Sequence, residues 1–422
     1  MHPRAPSCAR WRTPSHRRPP ALALVPLVLG FGGVLAVARA LPSNAAPPPA
    51  LVVAAAPTSS TSPPPLPVLD LTSARVDAAG RVTAPWGDAT AVLTRDAALE
   101  RELRGFVDGR APYAATVLLD VRTGRVLAMA ESSTRGNAAG LALRPMARAA
   151  SVFKIVTTSA LLQAGVSPAE RVCIHGGFRR MQPQLLVDDA HRDRTCTSLG
   201  AALASSQNVA IAKLALAYLD PDRLRAEARR WGFDEPLPLD VDARAEASAA
   251  AIPDDPFGFA NAAAGFGDVK ISALHGALLA SIVANAGMLV PPRLVESVDG
   301  AAAAPRARAA TRAVDAATAG ALRAMMVDTV KSGTARRTFA SAPRLSVSVA
   351  GKTGSLADYD TGLETTWFVG FAPVDNPEVA VASVVMNEPV WHVKATLVAK
   401  EALRSWLRAN APARRSDVVA LR

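Results

Sequence analysis

Cysteine is scarce in this chain, with three in 422 residues, and so are tyrosine, at three, and histidine, at six. Three cysteines are too few for a disulfide framework or a thiolate metal cage. Aromatic residues make up 5% of the chain, which leaves little for the stacking platforms that single-stranded nucleic acid needs. The formal charge is +11, but the arginines are scattered and no recognition motif accompanies them, so no nucleic-acid partner is expected. A mildly basic surface suits work near anionic lipid head groups. Internal repeats are absent as well.

Long apolar runs are equally rare, and the one present is informative. Arg4, Arg10, Arg12, Arg17 and Arg18 precede the run Ala21 to Ala38, and Arg39 closes it. Basic residues before a single apolar stretch predict a cytoplasmic tail at 1–20, an anchor at 21–38 and an extracytoplasmic remainder. Pro26, Gly30, Gly32 and Gly33 are tolerated in a membrane helix and weaken a soluble one. Ala38-Arg39-Ala40 has the small-x-small form of a signal peptidase site, so a cleaved signal peptide is the alternative. Either outcome places the rest of the chain outside the cytoplasm.

Residues 41–66 are rich in Pro, Ala, Ser and Thr and cannot bury enough apolar surface to fold, so they read as a linker. A small N-terminal extension is expected at 67–110, with strand-like pieces and a helix near Asp96–Asp108, where Ala98, Leu99, Leu103 and Phe106 share a face. Two apolar strands, Thr116–Val121 and Arg125–Ala130, flank a glycine-containing turn and predict a hairpin. Helices are expected after Ser151, at Leu199–Leu216, at Ser272–Ala286 and at Ala316–Ser332. Strands follow at Leu345–Thr353, Thr365–Phe371 and Val379–Met386, rich in Val, Phe and Thr. A last amphipathic helix covers Val393–Ala409. Strands, then helices, then strands predict an α+β domain with one antiparallel sheet over about 111–412, rather than alternating βαβ units.

Cys8 lies in the tail, which leaves Cys173 and Cys196 in an oxidising compartment where two thiols can pair. Their flanks resemble the two ends of a surface excursion, and a structural disulfide is the preferred reading. A metal site using His175 and His191 lacks tight ligand spacing. The pairing depends on geometry that a sequence does not supply.

Three short motifs could carry chemistry. In Ser151-Val-Phe-Lys154, at a helix start, positions i and i+3 share a face, so the amine can approach the hydroxyl. A serine needs a base, and a lysine can serve only with a lowered pKa. Read alone, Ser151 is equally an N-cap. Ser206-Gln-Asn208 lies inside or beside a helical run, where Asn is locally disfavoured. Lys352-Thr-Gly354-Ser355 closes a strand before polar residues; Lys352 would supply a second cation, Thr353 and Ser355 hydroxyls for a carboxylate, and Gly354 room for a ligand. A buried amide and an edge-strand lysine are the plain alternatives.

In this order the motifs form the signature of penicillin-binding proteins and class A β-lactamases. The sequence resembles the transpeptidase domain of penicillin-binding proteins from about Tyr113 to the final helix. Leu118 to Met129 resembles the family's opening hairpin, Ala264-Gly-Phe-Gly267 its central glycine segment, and Thr366-Trp-Phe-Val-Gly-Phe-Ala-Pro373 the strand after Lys-Thr-Gly. The resemblance implies a five-stranded antiparallel sheet flanked by helices, with an all-helical subdomain. It also implies a peptidoglycan D,D-transpeptidase: Ser151 as nucleophile, Lys154 as its base, Ser206 as proton relay and Lys352 as field. Asn208, Thr353, Gly354 and Ser355 would bind substrate, and the backbone N–H groups of Ser151 and Ser355 would form the oxyanion hole. The implied ligands are peptidoglycan stem peptides and β-lactams, with no metal or organic cofactor. Ala149-Ala150 replaces the family's Pro-Gly before the nucleophile, and 41–110 offers no room for a glycosyltransferase domain. Rival readings are a D,D-carboxypeptidase, a β-lactamase, for which no Glu-x-x-Leu-Asn follows Asn208, and a non-catalytic β-lactam sensor.

Overall fold

The computed structural model describes residues 67–177, 181–299, 305–358, 361–389 and 391–411. The expected tail, anchor and linker lie outside these residues. Among the described residues, no helix is long and apolar enough to cross a membrane.

In chain order the principal elements are α1 (Ala97–Val107), β1 (Tyr113–Asp120), β2 (Val126–Ser133), α2 (Lys154–Gln163), α3 (Asn208–Tyr218), α4 (Ala273–Ala284), α5 (Ala316–Lys331), β3 (Ala350–Asp358), β4 (Leu363–Ala372), β5 (Val379–Asn387) and α6 (Ala395–Ala409). The five strands form one sheet in the order β3-β4-β5-β1-β2, with every neighbouring pair antiparallel. One face carries α4, all of whose residues are buried. The other carries α1 and α6, packed through Leu99, Leu103, Leu403 and Trp406. Covering both faces explains why β5 is apolar almost throughout and buried at every position, where a one-sided sheet would alternate. Between β2 and β3 in sequence, α2, α3, α5 and shorter helices make the helical region.

Each α1, α4 and α5 N-terminus has a side-chain cap: Asp96, Ser272 and Asp315 accept backbone N–H groups of the first turn. On α1 the buried face is Leu99, Leu103 and Val107, with Phe106 half-buried and Ala98 exposed. Its Glu100 is buried too, held by Arg95 at 2.5 Å and accepting the Met129 N–H at 2.7 Å. Residues 67–110 are built into the same body. Val82–Trp86 and Ala89–Leu93 form a hairpin that pairs with Val295–Asp299, and Trp86 is 1% exposed.

Three expectations need correction. The strand expected at Leu345–Thr353 runs instead over Ala350–Asp358: Ala350 faces Phe371, and one residue later β4 gives way to Pro373, which has no N–H to give a ladder. Lys352-Thr-Gly354-Ser355 therefore lies in the first half of a strand rather than at its end. The helix expected across Leu199–Leu216 is broken into Leu199–Ala204 and α3.

Candidate active site

Ser151 lies in a single 3-10 turn, Ala150–Val152, and α2 begins only at Lys154. Ala149 donates its N–H to the Val269 carbonyl at 2.8 Å, which ties the approach to the segment before α4. Ala150 has φ of +48°, a left-handed conformation that costs an alanine roughly 1 kcal/mol or more. Its carbonyl points at Gly265, where an added Cβ would stand 1.9 Å from that oxygen. Gly265 is thus required by close approach, and the strained alanine is held in place by its surroundings. The i, i+3 relation then delivers the Lys154 amine to the Ser151 hydroxyl at 2.7 Å.

The break at Ser205–Gln207 brings in the second motif. Ser206 has φ of +60°, and the turn is closed by Ser206 N–H to the Leu203 carbonyl at 3.2 Å and Gln207 N–H to the Ala202 carbonyl at 2.8 Å. Asn208, read from the sequence as inside or beside a helical run, is the first residue of α3, and its side chain is turned to Lys154. The Lys154 amine donates to Asn208 Oδ1 at 2.5 Å and to the Ser206 carbonyl at 3.3 Å. Lys352, on β3, donates to Ser206 Oγ at 2.9 Å and to the Thr353 carbonyl at 2.8 Å.

Both lysines are fully buried, at 0% exposure. Burial pulls the Lys154 amine well below the ordinary lysine range, and the Lys352 charge pushes the same way. Burial also lowers Lys352, to about 7. Lowering the Lys154 pKa favours the neutral amine beside Ser151 that general-base activation of a serine requires.

A cleft of about 360 Å³ opens over these groups, lined by Ser151, Ser206, Asn208, Thr353, Gly354 and Ser355. All eight residues named from the three motifs are therefore in one place, six on the cleft wall and the two lysines bonded just behind it. Gly354 packs against Trp367 Cβ and the Ala150 Cβ, 3.2 and 3.3 Å from where a Cβ of its own would be, so any larger residue would crowd the contact between β3 and the turn that carries Ser151. Phe266 of the glycine segment adds to the wall, and so do Thr334, Arg337, Thr338, Lys394 and Thr396, none of which was singled out in the sequence. Thr334 bonds Thr353 through their hydroxyls at 2.5 Å. The only local signal for it is Gly333-Thr334 after α5, too common a pair to notice.

Cys173 and Cys196 are bonded to each other, opposite one another on the antiparallel ribbon Arg171–Ile174 and Thr195–Ser198. His175, the candidate metal partner, contacts Asp193 at 2.5 Å, and Lys213 of α3 bonds Asp193 at 2.8 Å. Among the described residues no group of three or more His, Cys, Asp or Glu is placed to hold a metal. The loop closed by the disulfide rests on α3: a Cβ at Gly177 would meet Val209, next to Asn208, at 2.2 Å.

The sequence matches the family described as "Penicillin binding protein transpeptidase domain" over residues 114–407. It is 31% identical over 252 residues to the peptidoglycan D,D-transpeptidase PbpA of Mycolicibacterium smegmatis, an alignment covering 56% of this chain and 49% of that protein. The chain therefore matches about half the length of that relative. Among solved structures, apo penicillin-binding protein 3 of Mycobacterium tuberculosis is similar with a TM-score of 0.64 at 23% identity, covering 78% of this chain and 81% of that one. The imipenem acyl-enzyme complex of penicillin-binding protein A from M. tuberculosis is similar with a TM-score of 0.61 at 23% identity, covering 76% of this chain and 80% of that one. With its α+β fold, its five-stranded antiparallel sheet and a family match across most of its length, the chain belongs to the penicillin-binding protein transpeptidase family.

Proposed function

We propose that this protein is a serine-type peptidoglycan D,D-transpeptidase that forms an acyl-enzyme on Ser151. The observation that carries the reading is the fully buried Lys154 amine, its pKa lowered by burial and by Lys352, standing 2.7 Å from Ser151 Oγ. Lys154 takes the hydroxyl proton as Ser151 Oγ attacks the carbonyl of the penultimate D-Ala of a stem peptide ending in D-Ala-D-Ala. The backbone N–H groups of Ser151 and Ser355 receive the oxyanion. Collapse breaks the amide bond, the proton held by Lys154 is relayed through Ser206 to the departing D-Ala amine, and the Ser151 ester and a neutral Lys154 remain. Asn208 serves twice, as a hydrogen-bond partner for the substrate backbone and as the acceptor that holds Lys154. The amine of a neighbouring stem then attacks the ester, forms the cross-link and frees Ser151. β-Lactams acylate the same hydroxyl, a reading supported by the imipenem acyl-enzyme of the similar penicillin-binding protein A from M. tuberculosis.

The basic residues before the apolar run 21–38 support anchoring in the cytoplasmic membrane with the catalytic domain outside, and the Cys173–Cys196 disulfide supports an oxidising compartment. Fluorescent penicillin should label the wild-type chain covalently, and Ser151→Ala should remove the label, seen as a band after denaturing electrophoresis. Undiminished labelling of the variant would show that Ser151 is not the nucleophile.

A further inference from the structure

Away from the catalytic cleft, a second cavity of about 500 Å³ opens at the turn between β1 and β2. Its wall carries four arginines, Arg122, Arg293, Arg306 and Arg308, all of them exposed. Two carboxylates line the same cavity, and both are already engaged. Asp240, 4% exposed, accepts the N–H groups of Leu294 at 2.9 Å and Val295 at 3.1 Å, and the Arg293 charge acts on it from a distance. Glu296 pairs with Arg125 at 3.1 Å. Arg308 commits one donor, its Nε, to the Leu239 carbonyl at 2.7 Å. Among the described residues the guanidinium groups of Arg122, Arg293 and Arg306 make no hydrogen bond or ion pair. Like charges that share one wall repel each other, and an anion in the cavity relieves that repulsion.

The cavity also lies where the linker joins the domain. Val68 pairs with Asp242, and the Leu69 N–H donates to the Asp242 carbonyl at 2.7 Å. The Arg306 N–H donates to the Asp240 carbonyl at 2.7 Å. Segment 239–242 therefore holds both the first residues after the linker 41–66 and the arginine-bearing segment 305–310.

We infer that this arginine face docks on the membrane: Arg122, Arg293, Arg306 and Arg308 bind the phosphate groups of anionic lipid headgroups. The inference rests on the anchored reading, in which 41–66 tethers the domain to a bilayer spanned by 21–38. A linker of that length, extended by its prolines, reaches about 80 Å. The surface potential of a bilayer dies away within about 10 Å at moderate salt, so the tether alone leaves the height and orientation of the domain open. A guanidinium offers a planar fork of donors that matches phosphate oxygens, and such charge-assisted bonds are the strong ones. Since the free arginines sit where the tether joins, docking on this face asks for no detour of the linker around the domain.

The test reconstitutes the full chain in nanodiscs of phosphatidylcholine, alone or mixed with phosphatidylglycerol, and follows phenylglyoxal modification of each arginine by mass spectrometry. Arg229, exposed on the helix Pro221–Arg230 and outside the cavity, is the internal reference. Phosphatidylglycerol should slow modification of the four cavity arginines about fivefold or more and leave Arg229 within about twofold. Raising the salt from about 0.1 M to about 0.5 M should erase the difference. In the triple variant Arg122→Gln, Arg293→Gln, Arg306→Gln, the remaining Arg308 should lose its protection. Equal slowing of Arg229, or protection of Arg308 that survives the triple change, would each overturn the docking face. Inorganic phosphate that protects the four arginines equally well in phosphatidylcholine discs would make the cavity a site for a free anion and overturn membrane docking. Protein held by both discs with equal modification rates in the two lipids overturns the docking face alone. Protein held by neither disc overturns the anchored reading and this one together.

Discussion

At the scale of single residues, two lysines receive different tasks through their neighbours. Lys154 faces Ser151 Oγ and Asn208 Oδ1 and feels the Lys352 charge, whereas Lys352 faces Ser206 Oγ and a carbonyl. The proposed acylation of Ser151 needs Lys154 neutral and Lys352 charged. The rate should rise as pH passes the lowered pKa of Lys154 and fall once Lys352 loses its proton at about 7. Second-order penicillin acylation measured from about pH 5 to about pH 9 should give this bell shape, as a property of the coupled pair. A rate still climbing at the alkaline end would mean that the base has an ordinary lysine pKa. Stability follows the same two groups. Both folded-state values are depressed, so the unfolded chain binds more protons between them and 10.5, and stability rises with pH across that window.

At the scale of elements, the site depends on two places where regular structure is interrupted. One is the 3-10 turn before α2, where Ala150 is left-handed and Gly265 makes room for its carbonyl; the other is the break before α3 that turns Ser206 inward. Gly265→Ala puts a methyl 1.9 Å from the Ala150 oxygen and also strains a residue at φ of +87°. It should destabilise the domain by about 2–4 kcal/mol and slow the proposed Ser151 acylation more than the lost stability alone would, since the displaced backbone is the one that carries Ser151. Thermal unfolding and acylation measured on the same preparation separate the two effects; a variant with unchanged acylation would show that this contact does not position Ser151. These interruptions also mark where sequence reading falls short. Helical periodicity runs through Leu199–Leu216 because Ala and Leu continue on both sides of Ser206, and nothing local announces a left-handed serine. The strands are easier, since β4 and β5 are apolar runs buried between two helical layers.

At the scale of the whole molecule, hairpin, helical region and final three strands are far apart in sequence, and the sheet order β3-β4-β5-β1-β2 closes them around one cleft. Whether the proposed acyl-enzyme is resolved by an amine or by water is a property of the assembled protein. With a pentapeptide donor and an amine-bearing stem acceptor, the transpeptidase reading expects a cross-linked product along with released D-Ala. Release of D-Ala with no acceptor product, measured by mass spectrometry, would make the enzyme a carboxypeptidase.

Three spaced motifs, an interval of helices between two groups of strands and a family resemblance from Tyr113 onward were determined by the sequence alone. They sufficed to name Ser151, Lys154, Ser206, Asn208 and Lys352, because each motif is a local pattern and their order is linear information. Tertiary structure decided the rest. It placed Lys352 against Ser206 across 146 residues, lowered both lysine pKa values by burial and joined Cys173 to Cys196. Desolvation and contacts between distant segments exist only once the chain has closed on itself, so no local pattern can carry them.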